Sequence, residues 1–168
     1  AAIEWGRLGK PSSLGVASGL VAGLVAITPA AGFVGPMPAL AIGAVAGAIC
    51  FGGVLLKNRF HYDDSLDAFG VHGIGGLFGA LATGVFAHVR WNPAGNIGLA
   101  YGKTKLFVEQ LIAIGVAAAY AIVVTFILLK VIEKTIGLRP TPEQENEGLD
   151  AALHGEEGYA MGEGGGHG

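Results

Sequence analysis

Asp63-Asp64-Ser65-Leu66-Asp67-Ala68-Phe69-Gly70-Val71-His72-Gly73-Ile74-Gly75-Gly76 sets an imidazole five residues beyond the last of three carboxylates. It stands just inside a segment that runs apolar to Ala87. A membrane-spanning helix holds an ionisable side chain only at a cost of a few kcal/mol or more, so such a group points first to a pathway through the protein. The alternative is a histidine hydrogen-bonded to a neighbouring helix. The residue alone leaves both readings open, and the surrounding sequence weighs toward the first.

Charged residues make up 14% of the 168-residue chain, where a soluble domain carries about 25%. The charge that is present lies mainly outside four long apolar segments, which makes this an all-α integral membrane protein. Net charge is −3, and more than half of the acidic residues follow Pro140, so no nucleic-acid surface is expected. The single Cys50 lies in an apolar run, excludes an internal disulfide and reads as core packing. No basic stretch with a small-residue cleavage site opens the chain, so no signal peptide is expected. The sequence starts at Ala1, in what reads as a helix end, and is expected to be one piece of a larger polypeptide.

A helix crosses the hydrocarbon core with about 20 apolar residues. The candidates are Ser12 to Thr28, Met37 to Leu56, Leu66 to Ala87 and Leu106 to Ile132, the first slightly short. Thr28-Pro29 should end the first, because the residue before proline avoids helical geometry. Pro36 and Pro38 mark entry to the second, and Ser65 is expected to cap the third. Glu109 and Gln110, in the first turn of the fourth, read as helix-end solvation. Arg7, Lys10, Lys57, Arg59, Lys130, Lys134 and Arg139 fall on one side of such a bundle, seven cations, against Arg90, Lys103 and Lys105 on the other. That bias makes the side carrying the N-terminal stub, the 57–65 loop and the tail cytoplasmic. The outer loop from His88 to Thr104 carries Trp91 and Tyr101, which suit a membrane interface.

Small residues four apart let helix backbones approach where lipid supplies no hydrophobic drive. Gly15, Gly19 and Gly23 mark such a stripe on the first span, Gly43 and Gly47 on the second, and Gly75, Gly79 and Thr83 on the third. Thirty glycines would each cost a soluble helix about 1 kcal/mol relative to alanine; here they indicate a compact bundle. The fourth span, bulkier and with one glycine between Leu111 and Leu129, is expected to face lipid over much of its surface.

On an α-helix His72 shares a face with Ala68 and Gly76. Asp67 lies about 7.5 Å along the axis from His72, from the 1.5 Å rise per residue, so no direct Asp–His pair is drawn. Burial in an apolar passage favours the neutral imidazole, which both donates and accepts a hydrogen bond and suits a small polar solute or a proton relay. His61, beside Tyr62, and His88 read as bland solvated positions. His154, Glu156, Glu157 and His167 match no established metal-ligand spacing, so no metal and no cofactor are expected. Neither a phosphate-cradling loop nor a nucleophile arrangement is present, which argues against an enzyme.

Three stretches closely resemble the C-terminal part of the Amt/Mep/Rh family of ammonium transporters. The first is Gly9-Lys10-Pro11-Ser12-Ser13-Leu14-Gly15, continuing through Ser18-Gly19 and Val21 to Gly32. The second is Asp63 to Gly73 with Gly75-Gly76 and Thr83-Gly84-Val85-Phe86-Ala87. The third is Gly137-Leu138-Arg139, then Glu147-Gly148-Leu149-Asp150 and His154-Gly155-Glu156.

The resemblance implies the last four helices of an eleven-helix bundle, built as two inverted repeats, in the plasma or inner membrane with a cytoplasmic C-terminus. Residues 1–11 would end a preceding span and form a cytoplasmic loop, 12–136 would hold the four spans, and 137–168 would form a regulatory tail. His72 would be the second of a twin-histidine pair in a narrow hydrophobic pore for ammonium or ammonia. Ala68, Val71, Ser18 and Val21 would line that pore with it, and Asp63, Asp64 and Asp67 would sit at its cytoplasmic mouth. Gly137, Leu138 and Arg139 would lead into the tail. The family implies a homotrimer, contact with the remaining N-terminal spans, and a PII-type regulator. The first histidine, the phenylalanine gate and the outer recruitment site lie outside this sequence, so the chain alone is not expected to conduct. A non-conducting structural or regulatory membrane subunit is the alternative.

Overall fold

The structure is a computed structural model that describes residues 2–156. Every regular element among those residues is helical. Two compact units form, Ala1–Ala118 and Ala119–Gly168.

The first unit contains α1 (Ala2–Leu8), α2 (Ser13–Ile27), α3 (Pro36–Phe60), a π-helical turn (Phe69–Gly73), α4 (Ile74–Phe86) and the beginning of α5 (Lys105–Thr135). The rest of α5, α6 (Pro142–Glu147) and a second π-helical turn (Asp150–His154) belong to the second unit. Four helical stretches are long and apolar enough to cross a membrane: Ser13–Ala30, Pro36–Lys57, Phe69–Phe86 and Lys105–Thr135.

Local chemistry explains the helix ends. Ser12 caps α2 by accepting from the Gly15 amide at 2.9 Å. The Glu4 carboxylate receives both the Ser12 hydroxyl, at 2.6 Å, and the Ser12 amide, at 3.1 Å. Pro29 does not stop the first span outright: the chain tightens into a 3₁₀ turn, Thr28–Ala30, in whose first turn a missing N–H costs little. Gly35 precedes α3 and Pro36 occupies its first position. Instead of ending near Leu56, α3 continues to Phe60 and stops where His61 adopts left-handed geometry. Lys57 and Arg59 therefore belong to a helix end and not to a loop.

The third span also differs. It begins with the π turn at Phe69 rather than at Leu66, and Ser65 does not cap it. The Asp64 carboxylate does so, accepting from the Ala68 amide at 2.8 Å and the Phe69 amide at 2.9 Å. Two carboxylate oxygens take the two orphan amides separately, one each, and carry the negative charge a helix start favours.

α2, α3 and α4 pack mutually. Their core is a set of mostly small residues at four-residue spacing: Ala22, Ala26 and Ala30 along α2 and its 3₁₀ turn, and Ala46 and Cys50 along α3 behind the bulkier Ile42. Ala82 joins them from α4. The stripe expected on α4 is used. A Cβ on Gly79 would lie 2.2 Å from the Ala26 carbonyl oxygen, and one on Gly75 would lie 3.2 Å from both Cys50 Sγ and Val25 Cγ1. The stripes expected on the first two spans are not: nothing lies within 4 Å of a Cβ built on Gly19, Gly23, Gly43 or Gly47. Ala22, Ile42 and Ala46, one position before Gly23, Gly43 and Gly47, are buried in their place. The helices cohere by close backbone approach and dispersion, with little apolar bulk between them.

The connection from α4 to α5 is tied down at several points. The His88 amide donates to the Phe33 carbonyl at 2.9 Å and the Gly98 amide to Ala87 at 2.8 Å. The Trp91 ring occupies the space a side chain on Gly35 would need. Along α5 no residue is buried among those described. Glu109 is exposed and pairs with Lys105 at 3.7 Å.

Gly79→Ala should destabilise the detergent-solubilised protein by about 1–3 kcal/mol, because the added methyl meets backbone that cannot move aside cheaply. A lowered thermal midpoint checks this; an unchanged one would mean α2 and α4 do not approach so closely.

Candidate functional site

His72 sits in the π turn, and what holds that turn is the geometry of the site. On one side the turn meets α3 backbone to backbone. A Cβ on Gly70 would lie 3.2 Å from the Val54 amide nitrogen, and one on Gly53 would lie 3.3 Å from both Gly70 Cα and its carbonyl oxygen. Two glycines face each other there because neither position has room for a side chain. Next to them the Cys50 thiol donates to the Val71 carbonyl, Sγ to O 3.6 Å. The Val71 side chain is 6% exposed and packs with Ala22 and Cys50.

The N-terminal end of the turn is held by charge. Lys57, from the last turn of α3, forms an ion pair with Asp67 Oδ1 and donates to the Asp64 carbonyl at 2.8 Å. Both side chains are largely covered, with 16% and 25% exposure. Asp67 has φ 55°, a left-handed conformation that aspartate tolerates better than most residues. The Phe69 ring lies along the turn at Gly73 and meets Tyr62 edge to face at 6.3 Å.

Against this frame the imidazole of His72 is exposed and accepts or donates no hydrogen bond among the described residues. Ala68 is exposed as well. Val21 is 39% exposed and Ser18 partly so. Ala22, adjacent to Val21 and one turn beyond Ser18, packs with Val71. The structure thus gathers α2 and the π turn around one contact and leaves His72, Ala68 and Val21 uncovered. Val71 is turned inward, and its side chain seats the turn. The π geometry also replaces the plain four-residue repeat relating Ala68, His72 and Gly76, because its hydrogen bonds span five residues. Asp67 faces Lys57. Asp64 caps the turn, and Asp63 is exposed beside it.

His61 and His88 serve local structure. The His61 amide closes α3 on the Lys57 carbonyl at 2.9 Å. His88 Nδ1 accepts from the Arg90 amide at 3.0 Å, and its ring meets Tyr101 edge to face at 4.6 Å. No group of three metal-ligating side chains forms among the described residues; Glu157 and His167 lie outside them.

In the second unit, Gly137, at φ 84°, ends α5 with its amide on the Ile132 carbonyl at 3.1 Å. Leu138 is exposed, and Arg139 reaches Glu145 at 3.3 Å. Pro142 opens α6 in a reciprocal cap. Thr141 Oγ1 accepts from the Gln144 amide at 3.4 Å, and Gln144 Oε1 accepts from the Thr141 amide at 3.0 Å. A backbone hydrogen bond within Glu143 and a second from Thr141 hold the Glu143 carboxyl below its ordinary value.

Residues 1–159 match the model of the Ammonium Transporter Family. The chain belongs to the ammonium transporter family. It is 50% identical over 158 residues to the ammonium transporter of Bacillus subtilis, covering 94% of this chain and 39% of that protein. It is 47% identical over 151 residues to Amt1 of Archaeoglobus fulgidus, covering 90% and 38%. The crystal structure of Mep2 from Saccharomyces cerevisiae superposes with a TM-score of 0.78 at 39% identity, over 84% of this chain and 33% of that one. The chain therefore spans under two-fifths of the length of these relatives. It is an all-helical membrane segment of a transporter family, and not an enzyme.

The residues that hold the π turn were not all legible beforehand. Lys57 entered the sequence argument only as one cation among seven, and Cys50 only as packing. A lysine ten residues ahead of an aspartate, across a helix end and a short loop, was the available signal.

Asp64→Ala should cost about 1–2 kcal/mol of local stability, since two helix-start amides lose their acceptor. Hydrogen exchange at Ala68 and Phe69 should then quicken roughly tenfold; unchanged exchange would contradict the cap. At α6, stability contributed by Glu143 is complete above the ordinary glutamate range and is lost as pH falls through its depressed folded value. Protection of the Gln144 and Glu145 amides in the intact protein, corrected for the intrinsic pH dependence of exchange, should therefore fall on acidification, and Thr141→Ala should remove part of that pH response.

Proposed function

We propose that this chain is the C-terminal segment of an ammonium transporter and contributes one pore histidine, His72, to a passage for ammonium or ammonia across the membrane. The observation that carries the reading is the imidazole itself. It stands uncovered and without a hydrogen-bond partner on a stretch hydrophobic enough to span a membrane, and a polar ring does not face lipid at that depth without cost. Helices beyond these four, supplied by the rest of the transporter, would close the passage around it. Ala68, Ser18 and Val21 flank the ring in this reading, Val71 backs the turn from within, and Asp63, Asp64 and Asp67 form its cytoplasmic mouth.

A neutral imidazole presents one donor and one acceptor nitrogen in otherwise apolar surroundings. It can therefore accept a hydrogen bond from ammonia at one nitrogen or donate one to it at the other, without a buried net charge. The bias of lysine and arginine toward the segments read from the sequence as cytoplasmic supports a cytoplasmic tail. Residues 137–168 would act in that compartment as a regulatory element, in a homotrimer open to a PII-type regulator; the capped α6 gives the tail a folded element to present. Residues 12–136 would form the transmembrane part and 1–11 its lead-in.

The test is uptake of isotope-labelled ammonium by proteoliposomes carrying the complete transporter. His72→Leu should alter rate, selectivity over other monovalent cations, or proton coupling, and identity with the parent on all three would overturn the role. Vesicles holding only this polypeptide should take up no more ammonium than empty vesicles.

A further inference from the structure

We infer that Lys57 is a positioning residue for His72: its ammonium group, bridging Asp67 and the Asp64 carbonyl, fixes the turn from which the imidazole projects. The inference rests on the reading of His72 as a pore residue and adds to it a determinant on a different helix.

Four observations converge. Asp67 occupies a left-handed conformation, which a non-glycine residue keeps only when its surroundings over-determine it. The only cation paired with it among the described residues is Lys57, contributed by α3. The same ammonium group binds the backbone of Asp64, and the Asp64 side chain in turn holds the two amides that start the helix. One lysine therefore ties together the carboxylate at the strained residue and the residue that caps the turn.

The opposite flank of the turn offers no comparable polar anchor. There the contact is glycine on glycine, with a single thiol hydrogen bond to Val71. Thiols are weak donors, and a glycine pair resists approach without preventing sliding. The π turn itself is an uncommon geometry with a local cause. Here the N-terminal clamp sets where the extra residue is accommodated, and hence the direction in which residue 72 leaves the backbone. The short reach of the coupling supports a positional role: Asp67 is five residues ahead of His72 and two ahead of the π turn that carries it.

Lys57 meets Asp64 and Asp67 at the proposed cytoplasmic mouth and does not contact His72, so the His72→Leu background separates an effect through His72 from one at the mouth. In the complete transporter, Lys57→Met should lower the maximal uptake rate about tenfold or more while leaving half-saturation within about twofold. Lys57→Arg, which can still bridge a carboxylate and a carbonyl, should restore most of the rate. In the His72→Leu background, Lys57→Met should have little further effect on uptake. Hydrogen exchange read on the same preparations should rise at Ala68, Phe69 and Val71 in Lys57→Met and remain at the parent level in α5.

Parent-like uptake and parent-like exchange in Lys57→Met would each overturn the inference. So would an equal further loss in the His72→Leu background, because the two residues would then act independently. If Lys57→Met fails to reach the membrane, Lys57→Gln and the exchange profile of Asp67→Asn provide the same reading, and parent-like exchange there overturns it too. Absence of ammonium uptake by the parent protein would instead refute the functional reading, which the exchange data do not depend on.

Discussion

The close meeting of Gly53 and Gly70 is the constraint on which the rest of the site depends. Backbone approaches backbone there to distances that exclude a side chain on either partner. That approach brings the π turn under the thiol of Cys50 and turns Val71 into the bundle. With Val71 committed inward, the next residue, His72, is directed out of the packed cluster. The Lys57–Asp67 pair then closes the turn from its N-terminal end. Packing on one flank and charge on the other leave the imidazole little choice of origin, although neither contacts it.

The same economy governs the bundle as a whole. Membrane helices gain little from burying apolar bulk against one another, since lipid is equally apolar. Close approach is what remains, and the alanines of α2, the Gly75–Gly79 stripe of α4 and the small residues of α3 provide it. Small residues that find no neighbour in this unit, such as Gly19, Gly23, Gly43 and Gly47, lie on surfaces of the same helices that the four spans leave uncovered. Membership in a family whose matched proteins are more than twice as long gives those surfaces an evident context.

Much of this was readable from residue types. Four apolar stretches, their approximate limits and the unusual position of His72 follow from hydropathy and from the cost of a polar group at membrane depth. Details failed where two local rules competed. Ser65 has the side chain of a cap, but Asp64 offers two acceptor oxygens and a backbone able to reach both amides, so it wins. At Thr28-Pro29 the expected stop does hold for the α-helix, which ends at Ile27, and a 3₁₀ turn then carries the chain on to Ala30. The apolar run stops at Leu56, but the helix continues to Phe60, and the Lys57 side chain reaches from its last turn to Asp67.

The sequence by itself determined the class of protein, the number of spans and the residue types at the site, because each follows from local composition and from chemistry that does not depend on neighbours. Only the tertiary structure decided which small residues touch, that Val71 turns inward while His72 stays uncovered, and that a lysine on α3 anchors the turn. Those facts depend on the relative rotation and depth of α2, α3 and α4. A periodic pattern of small side chains is compatible with several such rotations, and only the packed backbones select one.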